Sequence, residues 1–481
     1  MLRSTRPRNS APSRKVWPTV PPGASRVVVL GLDCATPQLL FDRFAGELEH
    51  LGRLRQHGIW GPLTSVIPAI TVPAWACSMT SRDPGQLGIY GFRNRKDYSY
   101  EGLALATSNA VREPAVWDIL SSQGKHVIVV SVPPSYPPAP VNGLRVGCFL
   151  TPNTDSDYTY PSELKGEIAS VVGEYMIDVP QFRSDEKERI LRQAREMAVQ
   201  RFKLFRHFLK TRSWDFAMMV EIGLDRVHHG FWEYFDETHR SYEPGNPYRH
   251  AVRDYYRLLD SEIGQVLAEL DDDTTVIVMS DHGAKPMQGA ICINEWLIQE
   301  GYLHLQSRPQ GPTRFSLGDV DWARTRAWGE GGYYGRLFVN VQGREPQGVV
   351  PTEEYEGLRD ELAAKLVAIP DHEGRPIGTR VFKPQEIYRE CRNVPPDLIV
   401  YFGDLDWRSV AQVGVRSIHT FENDTGPDGA NHSQEGIFIM RGPGIQGGHS
   451  LEGLQLVDCA PTVLGRLALP VPDVMIGSPI A

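Results

Sequence analysis

Aspartate and histidine side chains follow several of the strands that the sequence predicts, at the point where each strand ends. These residues are Asp33 after residues 27–32, Asp225 with His228 and His229 after residues 216–222, Asp281 with His282 after residues 275–279, and His432 before residues 437–440. Because ligands bind at the carboxyl ends of strands in open α/β sheets, we expect these side chains to meet. Together they supply three carboxylates and three imidazoles, enough to bind two divalent cations. This mixture of oxygen and nitrogen ligands suits Zn²⁺ or Mn²⁺ better than Ca²⁺.

Each of these residues also has an ordinary structural explanation. An aspartate after a strand often caps the next helix, and Asp225 with His229 has the i, i+4 spacing of a surface pair on a helix. Asp281 with His282 fits a turn, and His432 fits a loop. The recurrence of Asp and His at four such places in one chain nevertheless favours a metal site.

Thr71 is the candidate nucleophile. Pro73 is typical of the first turn of a helix, which places Thr71 just before the helix begins. A threonine there can simply cap the helix. It can also attack phosphorus, because the amides at the start of a helix favour a phosphate group and a metal ion can deprotonate the hydroxyl.

The elements that must position these residues are predicted from apolar patterns. Unbroken apolar runs at 27–32, 127–132, 216–220, 275–279, 398–402 and 437–440 alternate with amphipathic helices such as 190–208 and 252–270. This alternation is typical of a mostly parallel sheet covered by helices on both faces. We predict one large α/β domain over residues 24–481, in which insertions at about 133–185 and 290–425 form a cap over the substrate.

Composition excludes several functional classes. The 481-residue chain has a net charge of −9, which argues against a basic surface that binds nucleic-acid polymers. No run approaches the ~18 apolar residues of a membrane helix. Six widely spaced cysteines without a C-x-x-C pair indicate reduced thiols and a cytoplasmic protein. Residues 1–23 are proline-rich and basic, which predicts a disordered tail.

The order of the candidate residues resembles the alkaline phosphatase superfamily, and most of all its type I phosphodiesterase/nucleotide pyrophosphatase branch. Thr71 lies in T-V-P-A-W and is followed by S-M-T-S-R-D-P-G-Q-L-G-I-Y-G-F, while P-P-D-L-I-V occupies 395–400. The resemblance covers roughly residues 26–478. It implies an alkaline phosphatase-like three-layer α/β/α sandwich with a mostly parallel central sheet.

The resemblance also implies a ligand set and an activity. One metal ion would be held by Asp225, His229 and His432, and a second by Asp33, Asp281, His282 and the Thr71 oxygen; the motif spacing selects His229 over His228. The implied enzyme is a phosphodiesterase or nucleotide pyrophosphatase that cleaves phosphoester or phosphoanhydride bonds of a small molecule or nucleotide. Cleavage would pass through a phosphothreonine on Thr71, with Zn²⁺ as the expected metal and Mn²⁺ as the alternative. Oligomeric state is left open.

Two departures from related enzymes shape the alternatives. The C/S-x-P-x-R motif of sulfatases is absent, because Thr71 and Trp75 occupy its first and last positions. The asparagine with which nucleotide pyrophosphatases contact phosphate is replaced by Phe92, with Arg93 and Asn94 beside it.

A phosphomonoesterase or phosphate mutase on the same scaffold is the first alternative, and it would need extra cations such as Arg82, Arg93 or Arg95. A metal-free pseudoenzyme that acts as a binding module is the second.

Overall fold

The computed structural model describes residues 26–481, so the predicted tail at 1–23 lies outside the described residues. The strands are β1 (Arg26–Leu32), β2 (Ile59–Thr64), β3 (Arg93–Arg95), β4 (Leu103–Leu105), β5 (Val127–Val130), β6 (Gly143–Val146), β7 (Thr159–Tyr160), β8 (Phe216–Glu221), β9 (Thr274–Met279), β10 (Gly283–Pro286), β11 (Gly289–Cys292), β12 (Thr313–Arg314), β13 (Ala327–Glu330), β14 (Gly335–Val339), β15 (Arg380–Phe382), β16 (Leu398–Tyr401), β17 (Trp407–Val410), β18 (Gln412–Val413), β19 (His419–Thr420), β20 (Ala430–Ser433), β21 (Glu435–Arg441), β22 (His449–Ser450) and β23 (Leu454–Gln455). The helices are α1 (Glu49–His57), α2 (Thr71–Thr80), α3 (Pro84–Leu87), α4 (Val116–Ser122), α5 (Leu164–Val172), α6 (Lys187–Thr211), α7 (Gly223–Phe235), α8 (Ala251–Leu267), α9 (Ile293–Gln299), α10 (Tyr355–Val367), α11 (Pro384–Ile387) and α12 (Cys459–Arg466).

A ten-stranded sheet forms the centre of the fold. Its strands follow the order β22-β2-β21-β9-β1-β8-β5-β6-β7, with β23 also beside β2. The neighbours β9, β1, β8, β5 and β6 all run parallel. By contrast, β21 runs antiparallel to β9 and β7 antiparallel to β6. The predicted mostly parallel sheet is thus confirmed.

Helices cover both faces of this sheet. Along β1, Val28 and Leu30 face an apolar cluster built with α6, α7 and α8. Val27 and Val29 point to the opposite face, where the cluster includes side chains of α2, α4 and α12. A strand buried on both faces needs apolar residues at every position, which explains the unbroken run in the sequence. The three-layer α/β/α sandwich is confirmed.

The two predicted insertions differ in their relation to the sheet. Residues 290–425 contain a separate four-stranded sheet, β13-β14-β16-β15, which packs with α9 and α10 around its own apolar cluster. Residues 133–185 instead supply β6 and β7 to an edge of the central sheet. Leu144 and Val146 of β6 are buried in its core.

A membrane-spanning helix is not found among residues 26–481, where no helix combines the required length with sufficient apolar character.

The start of α7 is held by the strand that precedes it. The Glu221 carboxylate at the end of β8 accepts hydrogen bonds from the amides of Gly223 at 2.7 Å and Leu224 at 3.1 Å. The hydroxyl of Tyr255 donates to the same carboxylate at 3.2 Å. The first amides of a helix have no partner within the helix, so Glu221 fixes the entry of α7 and the position of Asp225 in its first turn.

We expect Glu221→Gln to lower the free energy of unfolding by about 1–3 kcal/mol. The glutamine side chain has only one oxygen, so it cannot accept from the amides of both Gly223 and Leu224 as the two carboxylate oxygens do. Urea unfolding followed by circular dichroism measures this change. Glu188→Gln, at an exposed position of α6, is the matched control and should stay within about 0.5 kcal/mol of the unsubstituted protein. Equal stability of the two variants would contradict the role given to Glu221.

Candidate metal centre and active site

Six side chains meet at the carboxyl ends of the central strands in two groups. The Asp225 group contains Asp225, His229 and His432, and the Asp33 group contains Asp33, Asp281 and His282. Within each group, one ligand atom from each residue lies within 4.8 Å of the others. All six side chains are buried. The groups adjoin each other, because the rings of His282 and His432 stack with their centroids 3.8 Å apart.

In the Asp33 group, each carboxylate has one oxygen engaged and one free. Trp75 donates its indole N–H to Oδ2 of Asp33 at 2.8 Å, and the Cys34 amide donates to Oδ1 of Asp281 at 3.2 Å. Oδ1 of Asp33 and Oδ2 of Asp281 are buried without a hydrogen-bond partner. They lie 3.9 Å and 3.1 Å from Nε2 of His282.

The Asp225 group repeats this arrangement. Arg226 donates to Oδ2 of Asp225 at 2.6 Å, while Oδ1 is buried without a partner. That free oxygen lies 3.2 Å from Nε2 of His229 and 3.6 Å from Nε2 of His432. The two imidazole nitrogens are 3.3 Å apart.

All three histidines present the same ring nitrogen to the site. Nδ1 of His229 contacts a carboxylate oxygen of Asp428 at 2.8 Å, Nδ1 of His432 contacts the Ala69 carbonyl at 3.0 Å, and Nδ1 of His282 contacts the Gly283 carbonyl at 3.1 Å. These acceptors favour a proton on Nδ1, which leaves the Nε2 lone pair free to bind a metal.

The electrostatics of the Asp33 group call for added positive charge, whereas in the Asp225 group the interactions with His229, His432 and Arg226 outweigh burial and hold the pKa of Asp225 well below its usual value. Burial, together with repulsion from Asp281 and Asp225, raises the pKa of Asp33 well above its usual value. Burial and the charge of Asp225 likewise raise the pKa of Asp281. Desolvated carboxylates this close together are stable only when cations or protons compensate them. Three free carboxylate oxygens and three free imidazole nitrogens fit two divalent cations of the Zn²⁺ or Mn²⁺ type.

Thr71 lies beside these ligands rather than capping its helix. Helix α2 begins at Thr71 itself, one residue earlier than predicted, because the Ala74 amide donates to the Ile70 carbonyl. The N-cap position is therefore taken by Ile70, and the Thr71 hydroxyl forms no hydrogen bond with an amide of α2. The hydroxyl instead lies 3.3 Å from Nε2 of His282. The capping explanation left open by the sequence is therefore wrong.

His228 is directed away from the ligand groups. Its ring packs against Trp232 and Tyr256, with centroid distances of 5.4 Å and 5.7 Å, in the helical layer. His229, the next residue, belongs to the Asp225 group.

Two residues that support the site had not been singled out from the sequence. Asp428 holds Nδ1 of His229, and the Tyr333 ring stacks on His229 and His432 with centroid distances of 4.8 Å and 4.2 Å. Asp428 precedes His432 by four residues in the same loop, which is a usable signal for a carboxylate that orients a ligand histidine. Tyr333 has no comparable signal, since it comes from the separate four-stranded unit.

A cavity of about 430 Å³ opens beside Thr71. Besides Thr71, Asp225 and His432, it is lined by Ile70, Phe92, Arg93, Leu105, Phe149, Asp178, Phe182, Arg183, Arg226, Gly331, Gly332, Tyr333, Tyr334, Arg336, Arg408 and Thr425. Both segments that were predicted to form a cap therefore contribute to its wall.

Of the three arginines that a phosphomonoesterase could use, Arg82, Arg93 and Arg95, only Arg93 lines the cavity. Arg82 pairs with Glu113 at 3.3 Å and Arg95 with Glu345 at 3.1 Å. Asn94 is used in a turn, where it accepts from the Tyr90 amide at 2.8 Å, so it does not replace the missing asparagine.

Solved structures share this fold over most of their length. Phosphonoacetate hydrolase from Sinorhizobium meliloti 1021, in complex with phosphonoacetate, has a TM-score of 0.59 at 15% identity, over 93% of this chain and 96% of that one. Murine ectonucleotide pyrophosphatase/phosphodiesterase 5 has a TM-score of 0.54 at 14% identity over the same shares. An inactive variant of the murine protein in complex with AMP has a TM-score of 0.55 at 14% identity, again over 93% and 96%.

Comparison of the sequence with known proteins identifies a family, but it finds no individual curated relative. No curated protein sequence gives a significant match. The model of the family described as type I phosphodiesterase/nucleotide pyrophosphatase matches residues 27–428, a range that includes every predicted ligand except His432. The chain therefore belongs to the type I phosphodiesterase/nucleotide pyrophosphatase family and is a hydrolase of phosphoester type.

Proposed function

We propose that this enzyme hydrolyses a phosphodiester or phosphoanhydride of a small molecule through a phosphothreonine intermediate on Thr71. The observation that carries the proposal is the position of the Thr71 hydroxyl. It lies 3.3 Å from Nε2 of His282, a nitrogen that is itself 3.1 Å from the partnerless Oδ2 of Asp281, and Thr71 lines a cavity. A threonine needed only for helix stability has no reason to be there.

The two groups would hold two divalent cations, Zn²⁺ or Mn²⁺. Asp225, His229 and His432 would bind one. Asp33, Asp281 and His282, together with the Thr71 oxygen, would bind the other. When bound, such cations supply positive charge that favours the threonine alkoxide and neutralises the entering and leaving oxygens.

The steps on the protein are two displacements at phosphorus. The Thr71 oxygen forms a bond to phosphorus as the bond to one substituent breaks, and that substituent leaves as an alcohol or a phosphate. Water then breaks the bond between Thr71 and phosphorus, which releases the second substituent with the phosphoryl group and restores the hydroxyl. The start of α2, where Thr71 lies, favours the anionic phosphoryl group through its unpaired amides and its dipole.

The cavity wall supports a diester more than a monoester. Phe92, Phe149, Phe182, Tyr333 and Tyr334 line it, and these aromatic side chains suit an organic substituent rather than a bare phosphate. AMP and phosphonoacetate, which are bound in the two structural neighbours, are small molecules with a phosphoryl or phosphonyl group. The alternative of a pseudoenzyme that binds no metal is disfavoured, because such a protein would have no need for buried carboxylate oxygens without hydrogen-bond partners.

We expect the metal-loaded protein to hydrolyse bis(p-nitrophenyl) phosphate with a higher kcat/KM than p-nitrophenyl phosphate. The aromatic wall can contact the second nitrophenyl group, which the monoester lacks. Release of p-nitrophenolate measures both rates. The reverse preference would replace this proposal by the phosphomonoesterase or mutase alternative, for which Arg93 is the available cation.

Thr71→Ala should lower kcat for the diester by at least about 10³-fold, since the attacking oxygen is lost. Thr80→Ala is the matched control, because it removes a threonine hydroxyl from the other end of α2, where that hydroxyl bonds only to the Ala76 carbonyl. Its activity should stay close to that of the unsubstituted enzyme. A Thr71→Ala variant as active as Thr80→Ala would exclude the covalent route.

Asp281→Asn should change thermal stability in opposite directions with and without metal. In EDTA its Tm should rise, because one of three buried carboxylates becomes neutral and the amide can donate to Nε2 of His282. In excess Zn²⁺ or Mn²⁺ its Tm should fall below that of the unsubstituted protein, because a ligand that binds only the folded state binds the variant less tightly. Asp272→Asn, at an exposed position, is the control and should leave the Tm unchanged both in EDTA and in excess metal. A Tm change of the same sign in both conditions would argue against cation binding at Asp281.

A further inference from the structure

The active-site cavity has more positive than negative side chains in its wall. Five arginines line it, namely Arg93, Arg183, Arg226, Arg336 and Arg408, against two carboxylates, Asp178 and Asp225. Asp225 also belongs to a candidate metal group, so cation binding there would leave the arginines still less compensated.

Three of the five arginines have acidic partners. Arg226 pairs with Asp178 at 2.7 Å and with Asp225 at 2.6 Å, Arg183 pairs with Asp428 at 2.9 Å, and Arg408 lies 3.6 Å from Asp424 and 3.7 Å from Asp428. Each of these three thus has an acidic neighbour within the protein, although Nε and Nη1 of Arg408 are buried without a hydrogen bond. Arg93 and Arg336 remain.

Arg336 is a buried cation without an ion pair to any residue in the range 26–481. Only 8% of the residue is exposed, and its one hydrogen bond runs from Nη1 to the carbonyl oxygen of Arg93. Glu330 lies opposite it in the β13–β14 hairpin. No nitrogen of the Arg336 side chain comes within 4 Å of a Glu330 carboxylate oxygen, but the Glu330 charge interacts with Arg336 and Arg93 over a longer distance. A guanidinium has five N–H donors, and buried arginines are rarely left without a partner. Most of these donors are therefore available to a ligand in the cavity.

Arg93 is held next to Arg336 by contacts of its own main chain. Its carbonyl accepts from Arg336, and the Tyr334 hydroxyl donates to the carbonyl of Tyr90 a few residues earlier. The exposed side chain of Arg93 forms neither an ion pair nor a hydrogen bond with the described residues. Two guanidiniums that form no ion pair with the described residues are thus anchored along one part of the cavity wall, which Phe92 and Tyr334 also line.

We propose that Arg93 and Arg336 bind a second anionic group of the substrate, distinct from the phosphoryl group that Thr71 attacks. The inference rests on the proposed function and narrows its substrate class. The phosphoryl group is served by the metal groups and the start of α2, whereas paired guanidiniums match a phosphate or carboxylate elsewhere on the molecule. The substrate is then a phosphodiester or phosphoanhydride with a phosphate or carboxylate on one substituent, and Phe92 and Tyr334 flank the organic part between the two anions.

The second anion could belong to either substituent of the phosphorus, the one that stays or the one that leaves. Pairs of substrates that differ by one anion on one substituent distinguish these two cases. Thymidine 5′-(p-nitrophenyl phosphate) and its 3′-phosphorylated form differ only by an anion on the substituent that stays on phosphorus. The phenyl and 3-(carboxymethyl)phenyl esters of thymidine 5′-phosphate differ only by a carboxylate on the group that leaves. We expect the unsubstituted enzyme to prefer the anion-bearing member of at least one pair in kcat/KM.

Arg93→Gln should reduce that preference by at least about tenfold, a loss of about 1.4 kcal/mol. Arg336→Gln should do the same, and the exposed position of Arg93 keeps the test valid if the buried substitution impairs folding. Arg112→Gln removes one charge from another exposed position and should leave the preference intact. No preference in the unsubstituted enzyme, or an unchanged preference in Arg93→Gln, would overturn the proposal.

A binding measurement separates this proposal from the proposed function. Calorimetry on the Thr71→Ala protein compares AMP with adenosine 3′,5′-bisphosphate and needs no turnover. Tighter binding of the bisphosphate that is lost in Thr71→Ala/Arg93→Gln supports the anion subsite even if no substrate is hydrolysed. Equal binding of both nucleotides, with diester hydrolysis intact and no kinetic preference, overturns the subsite and leaves the proposed function standing.

Discussion

Three carboxylate oxygens buried without partners are the feature on which the rest of this structure depends. They belong to Asp33, Asp225 and Asp281. Removing a carboxylate from water costs several kcal/mol even after the protein relaxes, and the three residues also repel one another. In each case the second oxygen is fixed by a donor, from Trp75, from Arg226 or from the Cys34 amide. The protein therefore holds one free oxygen of each carboxylate in place at a free-energy cost that bound cations would offset.

The sheet topology explains why these residues meet. The parallel strands β1, β8 and β9 end at one edge of the sheet, and each is followed directly or within four residues by an aspartate of the site. The antiparallel pairing of β10 with β20 then places His432 opposite Ala284, two residues after His282. Glu221 secures the entry to α7, which carries Asp225 and His229. The six side chains come from distant parts of the chain, but from the ends of neighbouring strands, from β20 and from the helix α7 that follows β8.

The sequence was sufficient to predict the parts of the site that follow core strands. Asp33, Asp225 and Asp281 come after unbroken apolar runs, and the placement of ligands at strand ends is a general property of such sheets. The sequence was less informative about residues whose position depends on contacts between distant segments of the chain. Tyr333 reaches the ligand histidines from a separate sheet, and β6 joins the central sheet although proline-rich residues precede it. The start of α2 was misplaced by one residue because the main-chain bond to Ile70, rather than a side-chain cap, sets it. That Arg336 is buried and forms no ion pair with the described residues is visible only once its neighbours are known.

The most direct test of the metal centre is the location of metal in crystals by anomalous diffraction at the Zn or Mn absorption edge. We expect two anomalous peaks per chain, one bounded by Asp225, His229 and His432 and the other by Asp33, Asp281 and His282. The free carboxylate oxygens should point at the peaks. The absence of peaks at these positions after soaking with either metal, or peaks only elsewhere on the protein, would contradict this expectation.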